Sequence, residues 1–264
     1  NGAYNNVVSD GNGKFYIAFG SGGGVKYLPN SQSTTTTAPF CDEKIVLFDP
    51  ANGSVEPVNN TVVFGTIAQM ILYSGHLYIC GSFTNFGGVA ANNICKLNVS
   101  TGVVSAIGTG CDASVGCLCI DGTDMWIGGT FANANGVASV RIAKFTLSGE
   151  TWTQFSTGPQ NAVSTMVISN ASGTNYVYLG GNFTNANSVA NTARFCRMDA
   201  STGVFSSIAT VTTGTVSQMI LQSGKIYLVG THVVTGAGQM FSIYDIASNT
   251  ISTSTLYPTN GAGP

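Results

Sequence analysis

"YICGSFTNFGGVAANNICKLNVSTG" spans residues 78–102 of the chain. Similar phrases return at residues 126–149 ("WIGGTFANANGVASVRIAKFTLSG") and 178–203 ("YLGGNFTNANSVANTARFCRMDASTG"). Each phrase contains an apolar segment that ends in Gly, a polar loop, and a second apolar segment that runs toward a turn. Self-similarity at a period of about 50 residues indicates a repeat architecture, in which each unit buries its apolar faces against its neighbours.

Turn signals divide every repeat into short strands. Two apolar segments joined by a tight turn end at a closing glycine, and these glycines are Gly20, Gly81, Gly129, Gly181 and Gly230. The tight turn within each pair also contains glycine, which supplies the positive φ that a hairpin turn needs. A third strand follows the polar loop and usually ends in a turn led by Asp or Asn, and a fourth strand comes after that turn. Four antiparallel strands in a repeat of this length are typical of a β-propeller blade.

The whole chain therefore predicts an all-β fold, a five-bladed β-propeller with four antiparallel strands per blade. We expect a single domain over residues 1–264, and the blades are expected at 1–60, 61–108, 109–157, 158–209 and 210–264. The alternative is part of a larger ring whose other blades lie outside this chain. Blade one carries an inserted loop at 21–42, which is either a tolerated insertion or a contact arm for a neighbour or ligand.

Composition excludes several classes of function. Only 8% of the residues are charged, while 44% are hydrophobic, which favours strands over charged-faced helices and argues against disorder. The net charge is −2, and the nine basic residues are scattered, so a nucleic-acid partner is not expected. No apolar run has the length of a membrane span, so membrane insertion is not expected either. The chain begins with Asn1 rather than Met, as a processed or excised segment would.

Cysteines occur in odd number and mostly inside apolar strand patterns. We interpret them as small core residues rather than as a disulfide framework or a zinc site, because their spacing suits neither. Unpaired thiols favour folding in a reducing compartment. The seven are Cys41, Cys80, Cys95, Cys111, Cys117, Cys119 and Cys196.

Triplets of the N-glycosylation type point the other way, toward a secreted protein. In a chain so rich in Asn, Ser and Thr, chance also produces such triplets, so attachment of glycans stays open. The acceptors are Asn52, Asn59, Asn98, Asn170 and Asn182.

The repeat resembles a known family. Its pattern, read as Y-I-x-G-x-F-T-N-x-x-G-V-x-x-N-x-I-x-K-L-N-x-x-T-G, is similar to the delta-60 type β-propeller repeat and, more distantly, to kelch and galactose-oxidase-like blades. The second blade carries it at Tyr78, Gly81, Phe83, Thr84, Asn85, Gly88, Val89, Asn92, Ile94, Lys96 and Leu97. Blades three and four match well, and blades one and five match loosely. The resemblance implies a binding or scaffolding propeller of the kind found in bacterial surface proteins, phages and large DNA viruses.

The repeated polar loop supplies the candidate binding residues. Asn85, Asn133 and Asn185 either tie each loop to its own backbone or line equivalent sugar sites on one rim. Phe86 has no aromatic counterpart in the other copies, so it is a candidate for stacking on a sugar from an exposed position.

Catalytic chemistry has little support in the sequence. Asp121 and Asp124 lie across a turn and form the one carboxylate pair that a glycoside hydrolase could use, but capping of the turn is the favoured interpretation. His76 and His232 fall in different contexts, and copper ligation of the galactose-oxidase kind is not expected. We therefore expect no catalytic residues, no metal site, no cofactor and no enzymatic activity.

These observations favour a non-enzymatic structural or attachment propeller, with a virion or phage exterior as the first location. Other structural proteins, a surface receptor or a glycan are the expected partners. One alternative is a cell-surface adhesin or carbohydrate-binding lectin with an extracellular location. The second alternative is a glycoside hydrolase-like enzyme.

Overall fold

Antiparallel strands make up the regular structure of the chain. A computed structural model describes residues 4–19, 45–58, 63–208, 211–234, 237–238 and 241–253. None of the residues in these ranges lies in a helix. The predicted all-β class is confirmed. The predicted loop at 21–42 lies outside the described residues.

Five sheets each contain a path of four consecutive neighbours. The first sheet runs through β1 (Tyr4–Ser9), β2 (Phe15–Phe19), β3 (Ile45–Asp49) and β4 (Ser54–Pro57). The second sheet runs through β5 (Val63–Tyr73), β6 (His76–Phe86), β8 (Ile94–Asn98) and β9 (Val104–Ala106), and the short strand β7 (Val89–Ala90) also pairs with β6.

The next three sheets repeat this order. The third runs through β10 (Val115–Asp121), β11 (Asp124–Gly129), β14 (Ile142–Thr146) and β15 (Thr151–Gln154), with the small pair β12 (Asn133–Ala134) and β13 (Val137–Ala138) in its polar loop. The fourth runs through β16 (Val163–Ala171), β17 (Thr174–Gly181), β18 (Phe195–Asp199) and β19 (Phe205–Ser206). The fifth runs through β21 (Val216–Gln222), β22 (Lys225–Gly230), β25 (Phe241–Asp245) and β26 (Thr250–Thr253), and a small sheet joins β20 (Val211–Thr213), β23 (Val233–Val234) and β24 (Ala237–Gly238).

Hairpin turns follow from two-residue Ser-Gly sequences. Ser74 and Gly75 connect β5 to β6, and their φ angles of 47° and 74° are both positive, as a type I′ turn requires. The same Ser-Gly pair with two positive φ angles connects β16 to β17 and β21 to β22. The predicted tight hairpins are confirmed at these turns.

The turns between third and fourth strands also have the predicted caps. The Asn98 side-chain oxygen accepts hydrogen bonds from the backbone N–H groups of Ser100 and Thr101, both at 3.0 Å. Asp199 accepts the equivalent bonds from Ser201 and Thr202 at 2.8 and 2.9 Å. These bonds satisfy turn donors locally, which is why Asp or Asn leads these turns.

The chain divides into two compact units, Asn1–Val115 and Gly116–Pro264. In the first unit, Tyr16, Ala18 and Ile45 of the first sheet share a core with Ile67 and Met70 of the second. Face-to-face packing of consecutive sheets buries surfaces that a single sheet would leave in water.

Two such cores lie in the second unit. Trp126 and Ile142 of the third sheet pack against the fourth sheet. Tyr178 and Phe195 of the fourth sheet pack against the fifth. Each four-strand path lies within one of the five segments expected from the sequence, and the division of a single domain into those blades stays a prediction.

Candidate functional site

The polar loops between second and third strands are the candidate site. We call residues 82–93 segment A, residues 130–141 segment B and residues 182–194 segment C. Segment A belongs to the first unit, and segments B and C belong to the second. Segments B and C follow a buried second strand, and segment A begins within the last residues of β6. Each sheet therefore fixes where its segment starts and ends.

A buried phenylalanine anchors the start of each segment. Phe83, Phe131 and Phe183 are 3%, 0% and 0% exposed. Phe83 lies in the core of the first unit, and Phe183 lies in the core formed by the third and fourth sheets. All three rings therefore pack inside the protein.

Two of the predicted asparagines hold their own loops. The N–H of Gly88 donates to Asn85 Oδ1 at 3.0 Å, and the N–H of Ser188 donates to Asn185 Oδ1 at 3.1 Å. Asn133 is exposed within β12. The structural interpretation is confirmed for Asn85 and Asn185, and a role of these three residues in sugar binding stays a prediction.

The expected exposure of Phe86 is wrong. Its side chain is 0% exposed and its ring meets that of Phe83 edge to face, with centroids 5.4 Å apart. In segments B and C the same position holds Ala134 and Ala186, which are also fully buried. This repeat position is therefore part of the core and holds side chains of different volume. A buried ring cannot stack on a sugar. The apolar residue in all three copies was the signal that sequence reasoning missed.

The last residue of each segment adopts an unusual backbone conformation. Asn93, Arg141 and Arg194 have φ angles of 66°, 65° and 64° in the left-handed region. Asn93 Oδ1 accepts the N–H of Phe83 at 3.1 Å, and its Nδ2 donates to the carbonyl of Cys111 at 2.8 Å. The side chain of this residue thus ties the end of segment A back to its beginning.

Arginines take over this role in the other two segments. Arg141 Nη1 donates to the carbonyl of Phe131 at 2.8 Å, and Arg194 Nη1 donates to the carbonyl of Asn182. Both side chains are half-buried. Sequence reasoning missed these residues. Their signal was the recurrence of arginine at one repeat position in a chain with only nine basic residues.

The fifth sheet replaces the phenylalanine anchor with a histidine. His232 follows Gly230 by two residues, as Phe183 follows Gly181, and it is 0% exposed. Its Nε2 lies 2.9 Å from the hydroxyl of buried Ser242, while its Nδ1 is buried without a hydrogen-bond partner. Burial lowers the pKa of His232, because the charged form cannot be solvated there.

The carboxylate pair considered for catalysis is engaged in other contacts. Asp124 accepts hydrogen bonds from Lys144 Nζ at 3.0 Å and from Thr146 Oγ1 at 2.8 Å. Asp121 accepts one from Asn175 Nδ2 at 3.3 Å. The bonds of Asp124 join β11 to β14 within the third sheet, and the bond of Asp121 reaches β17 of the fourth sheet. Capping of the turn between the two aspartates stays a prediction.

Cysteines within the described ranges form no disulfide bonds and are mostly buried, as expected of small core residues. Burial raises the pKa of Cys80, Cys95, Cys111 and Cys196 well above the ordinary range, and that of Cys119 to about 11. Such thiols are poor nucleophiles. Cys41 lies outside the described residues. In the part of the chain that the structure describes, no His, Cys, Asp and Glu side chains group as metal ligands.

The glycan acceptors differ in their surroundings. Asn52 and Asn170 are exposed, and their side-chain oxygens accept backbone N–H groups of their own turns. Asn98 and Asn182 are half-buried, and Asn59 lies outside the described residues. Across the described ranges, no helix is both long enough and apolar enough to span a bilayer.

Comparisons with known proteins agree on the fold. Residues 155–261 match the model of the Rax2 C-terminal β-propeller domain, and residues 74–100 match a β-propeller domain of unknown function, DUF5122. None of the curated proteins compared with the chain matches its sequence.

Among solved structures, an extracellular domain assigned to a one-component system of B. thetaiotaomicron is similar, with a TM-score of 0.59 and 10% identity. The similarity covers 97% of this chain and 28% of that chain, so this chain spans little more than a quarter of its length. At that identity the likeness concerns the fold alone. With its stacked antiparallel sheets and these matches, the chain is a β-propeller repeat protein.

Proposed function

We propose that the chain is a five-bladed β-propeller, with four antiparallel strands per blade, that serves as a non-enzymatic attachment module on an exterior surface. One observation carries the proposal. Segments A, B and C repeat a loop whose phenylalanine anchors are buried and whose exposed polar side chains are neutral hydroxyls and amides. Repeated polar loops on a rigid scaffold suit recognition of a repeated surface group.

The loops are held in place before any partner arrives. Thr184 Oγ1 donates to Gln160 Oε1 at 2.9 Å, and the N–H of Gln160 donates to the carbonyl of Asn185 at 3.0 Å. Thr84 and Asn133 are exposed beside buried neighbours. A pre-organised loop loses little conformational entropy on binding, so more of the contact free energy appears as affinity.

Absence of enzymatic activity is part of the proposal. The support is that Asp121 and Asp124 already accept hydrogen bonds from side chains of other strands, and that His232 is fully buried. A general acid or base must reach its substrate.

The exterior of a virion or phage is the first proposed setting, with other structural proteins, a receptor or a glycan as partners. Few charges and many neutral polar groups support it, as does the resemblance of the repeat to those of phages and large DNA viruses. The second setting is a cell surface, where the chain would act as an adhesin or lectin. It is favoured by the similar solved structure, which is an extracellular domain.

Immunogold electron microscopy on native material separates the two settings. Label on purified particles supports the particle exterior, and label on intact, unpermeabilised cells supports the adhesin. Label confined to the cytosol contradicts both.

Binding is tested by applying the labelled full chain to a glycan array. The chain is also applied to the particles or cells that immunogold microscopy identifies. The variant Asn133→Ala with Thr184→Ala removes outward polar groups of segments B and C and is expected to weaken binding. The control Ser100→Ala changes an exposed residue in a turn at the opposite end of the strands. Equal binding by all three chains would place recognition outside these segments.

A further inference from the structure

Arg141 and Arg194 stand at the same repeat position and share an unfavourable backbone conformation. Each directly precedes a third strand, β14 or β18, and their φ angles are 65° and 64°. In this region the Cβ atom crowds the backbone, so residues other than Gly, Asn and Asp are uncommon there. Because arginine occurs twice at such a position, we expect its side chain to have a function that offsets the backbone strain.

Closing the loop is not that reason. Asn93 holds the equivalent position of segment A at φ 66° and ties the loop together with neutral hydrogen bonds. Asparagine tolerates the left-handed region better than arginine does. A neutral amide can therefore close the loop. The positive charge of Arg141 and Arg194 is not needed for this.

This charge lacks a partner within the described chain. Three ion pairs among the described residues use lysine, namely Lys14 with Asp49, Lys144 with Asp124, and Lys225 with Asp245, and neither arginine takes part in them. The guanidinium groups of Arg141 and Arg194 each donate one Nη1–H to a backbone carbonyl, and their Nε atoms are buried without an acceptor. A half-buried guanidinium with no carboxylate beside it is electrostatically unsatisfied, so it gains from an anion that contacts its remaining Nη–H groups.

We propose that Arg141 and Arg194 bind the anionic groups of an acidic polysaccharide along segments B and C. The inference rests on the proposed attachment function and specifies its ligand class. The guanidinium contacts a carboxylate or a sulfate, and the surrounding neutral side chains, such as Asn133 and Thr184, meet sugar hydroxyls. Repetition of the arginine on consecutive sheets suits a polymer that repeats its charge.

Binding is measured by biolayer interferometry with the full chain over immobilised polygalacturonate, dextran sulfate and unmodified dextran. Polygalacturonate offers carboxylates and dextran sulfate offers sulfates, so the two arms identify the anion. We expect binding to at least one acidic polymer and weaker binding at higher salt. Arg141→Asn and Arg194→Asn, which copy the residue of segment A, are each expected to weaken it roughly tenfold, as loss of a charged hydrogen bond does.

Matched variants separate this effect from loss of folding. Lys225→Gln removes one positive charge from a hairpin at the opposite end of the strands and is expected to bind as the wild type does. Arg141→Lys keeps the charge but loses the planar fork, so an intermediate affinity is expected even where an Asn variant fails to fold. Circular dichroism and thermal melting check the fold of each chain.

Two results would overturn the inference. One is a folded wild type that binds neither acidic polymer above the level of unmodified dextran. The other is a set of folded Arg→Asn variants with wild-type affinity. Binding of the wild type and of these variants to a neutral glycan would leave the attachment function standing while removing the arginines from it.

Discussion

At the scale of the residue, equivalent positions of the repeat show which side chains are structural. The anchor slot holds Phe83, Phe131 and Phe183, but His232 in the fifth sheet. The third-strand position that Ser242 holds in the fifth sheet is occupied by Cys95, Ala143 and Cys196 in the second, third and fourth sheets. The two polar residues occur together and lie within hydrogen-bond distance, because each would be an unsatisfied buried group without the other.

The His232 pair makes stability depend on pH. Burial lowers the pKa of His232 below its ordinary value of 6.5. Between that lowered pKa and 6.5 the unfolded chain binds a proton at His232 that the folded chain does not, so the contribution of His232 to the free energy of unfolding falls as the pH falls through this window and is constant above it. Urea denaturation at a series of pH values is expected to show this slope in the wild type.

The double variant His232→Phe with Ser242→Ala copies the third sheet, which has Phe131 and Ala143 at these positions. It is expected to lose this contribution to the slope. His76→Gln, at a residue that is not fully buried, serves as the control and should retain it. An unchanged slope in the double variant would show that His232 does not titrate differently in the two states.

A substitution at Phe86 tests whether its ring is buried in the core or exposed for sugar binding. Phe86→Ala removes a fully buried ring and is expected to lower the free energy of unfolding by about 3 to 5 kcal/mol. Val103→Ala, at a side chain that is 59% exposed, should change it by less than about 0.5 kcal/mol. Equal stability of the two variants in chemical denaturation would contradict the buried position of Phe86.

At the scale of the element, small residues in the second strands control how closely sheets pack. The slot held by Cys80 in β6 is occupied by Gly128 in β11 and by Gly180 in β17. A Cβ atom on Gly180 would lie 2.7 Å from Val216 Cγ1 of the fifth sheet. The backbone N–H of Met219 also donates to Thr165 Oγ1 at 3.0 Å, so the fourth and fifth sheets meet in a closely packed and hydrogen-bonded contact.

Gly180→Ala is therefore expected to push these two sheets apart and lower the free energy of unfolding by about 1 to 3 kcal/mol. The control is Gly149→Ala, since a Cβ there meets Thr151 atoms only at 3.7 and 3.8 Å, which is ordinary contact. Denaturant midpoints of the two variants measure the difference. Similar midpoints would mean that the sheets adjust to an added methyl group.

At the scale of the whole molecule, each sheet has an apolar face that is buried only when another sheet packs against it. Tyr178 and Phe195 of the fourth sheet are fully buried against the fifth. The corresponding face of the fifth sheet carries Ile220 and Val229, which are 54% and 43% exposed. The proposed ring of five blades requires this face to be covered.

The covering is tested with Ile220→Lys and Val229→Lys in one chain. A covered face would bury two unpaired charges, so a clear drop in melting temperature is expected. Val204→Lys, at a side chain that is 63% exposed in a turn, serves as the control and should melt near the wild type. Melting of the double variant at the control temperature would show an open face and contradict the closed ring.

Local sequence patterns were enough to predict strands, hairpins and capped turns. The Ser-Gly pairs and the Asp- or Asn-led turns act through their own backbone angles and hydrogen bonds, which need no distant partner. The anchors Phe83, Phe131 and Phe183 could also be predicted, because the repeat places an apolar residue at one position three times. Phe86 was misjudged because its neighbours in sequence are polar, while its neighbours in space are not.

The sequence by itself determined the all-β class, the period of the repeat and the residues that cap its turns, since these depend on interactions within a few residues. Only the tertiary structure decided that Phe86 is buried, that His232 meets Ser242, and that Arg141 and Arg194 carry charges with no carboxylate beside them in the described chain. Burial and ionic partners are properties of atoms brought together from separate strands. They therefore appear only when consecutive sheets are packed.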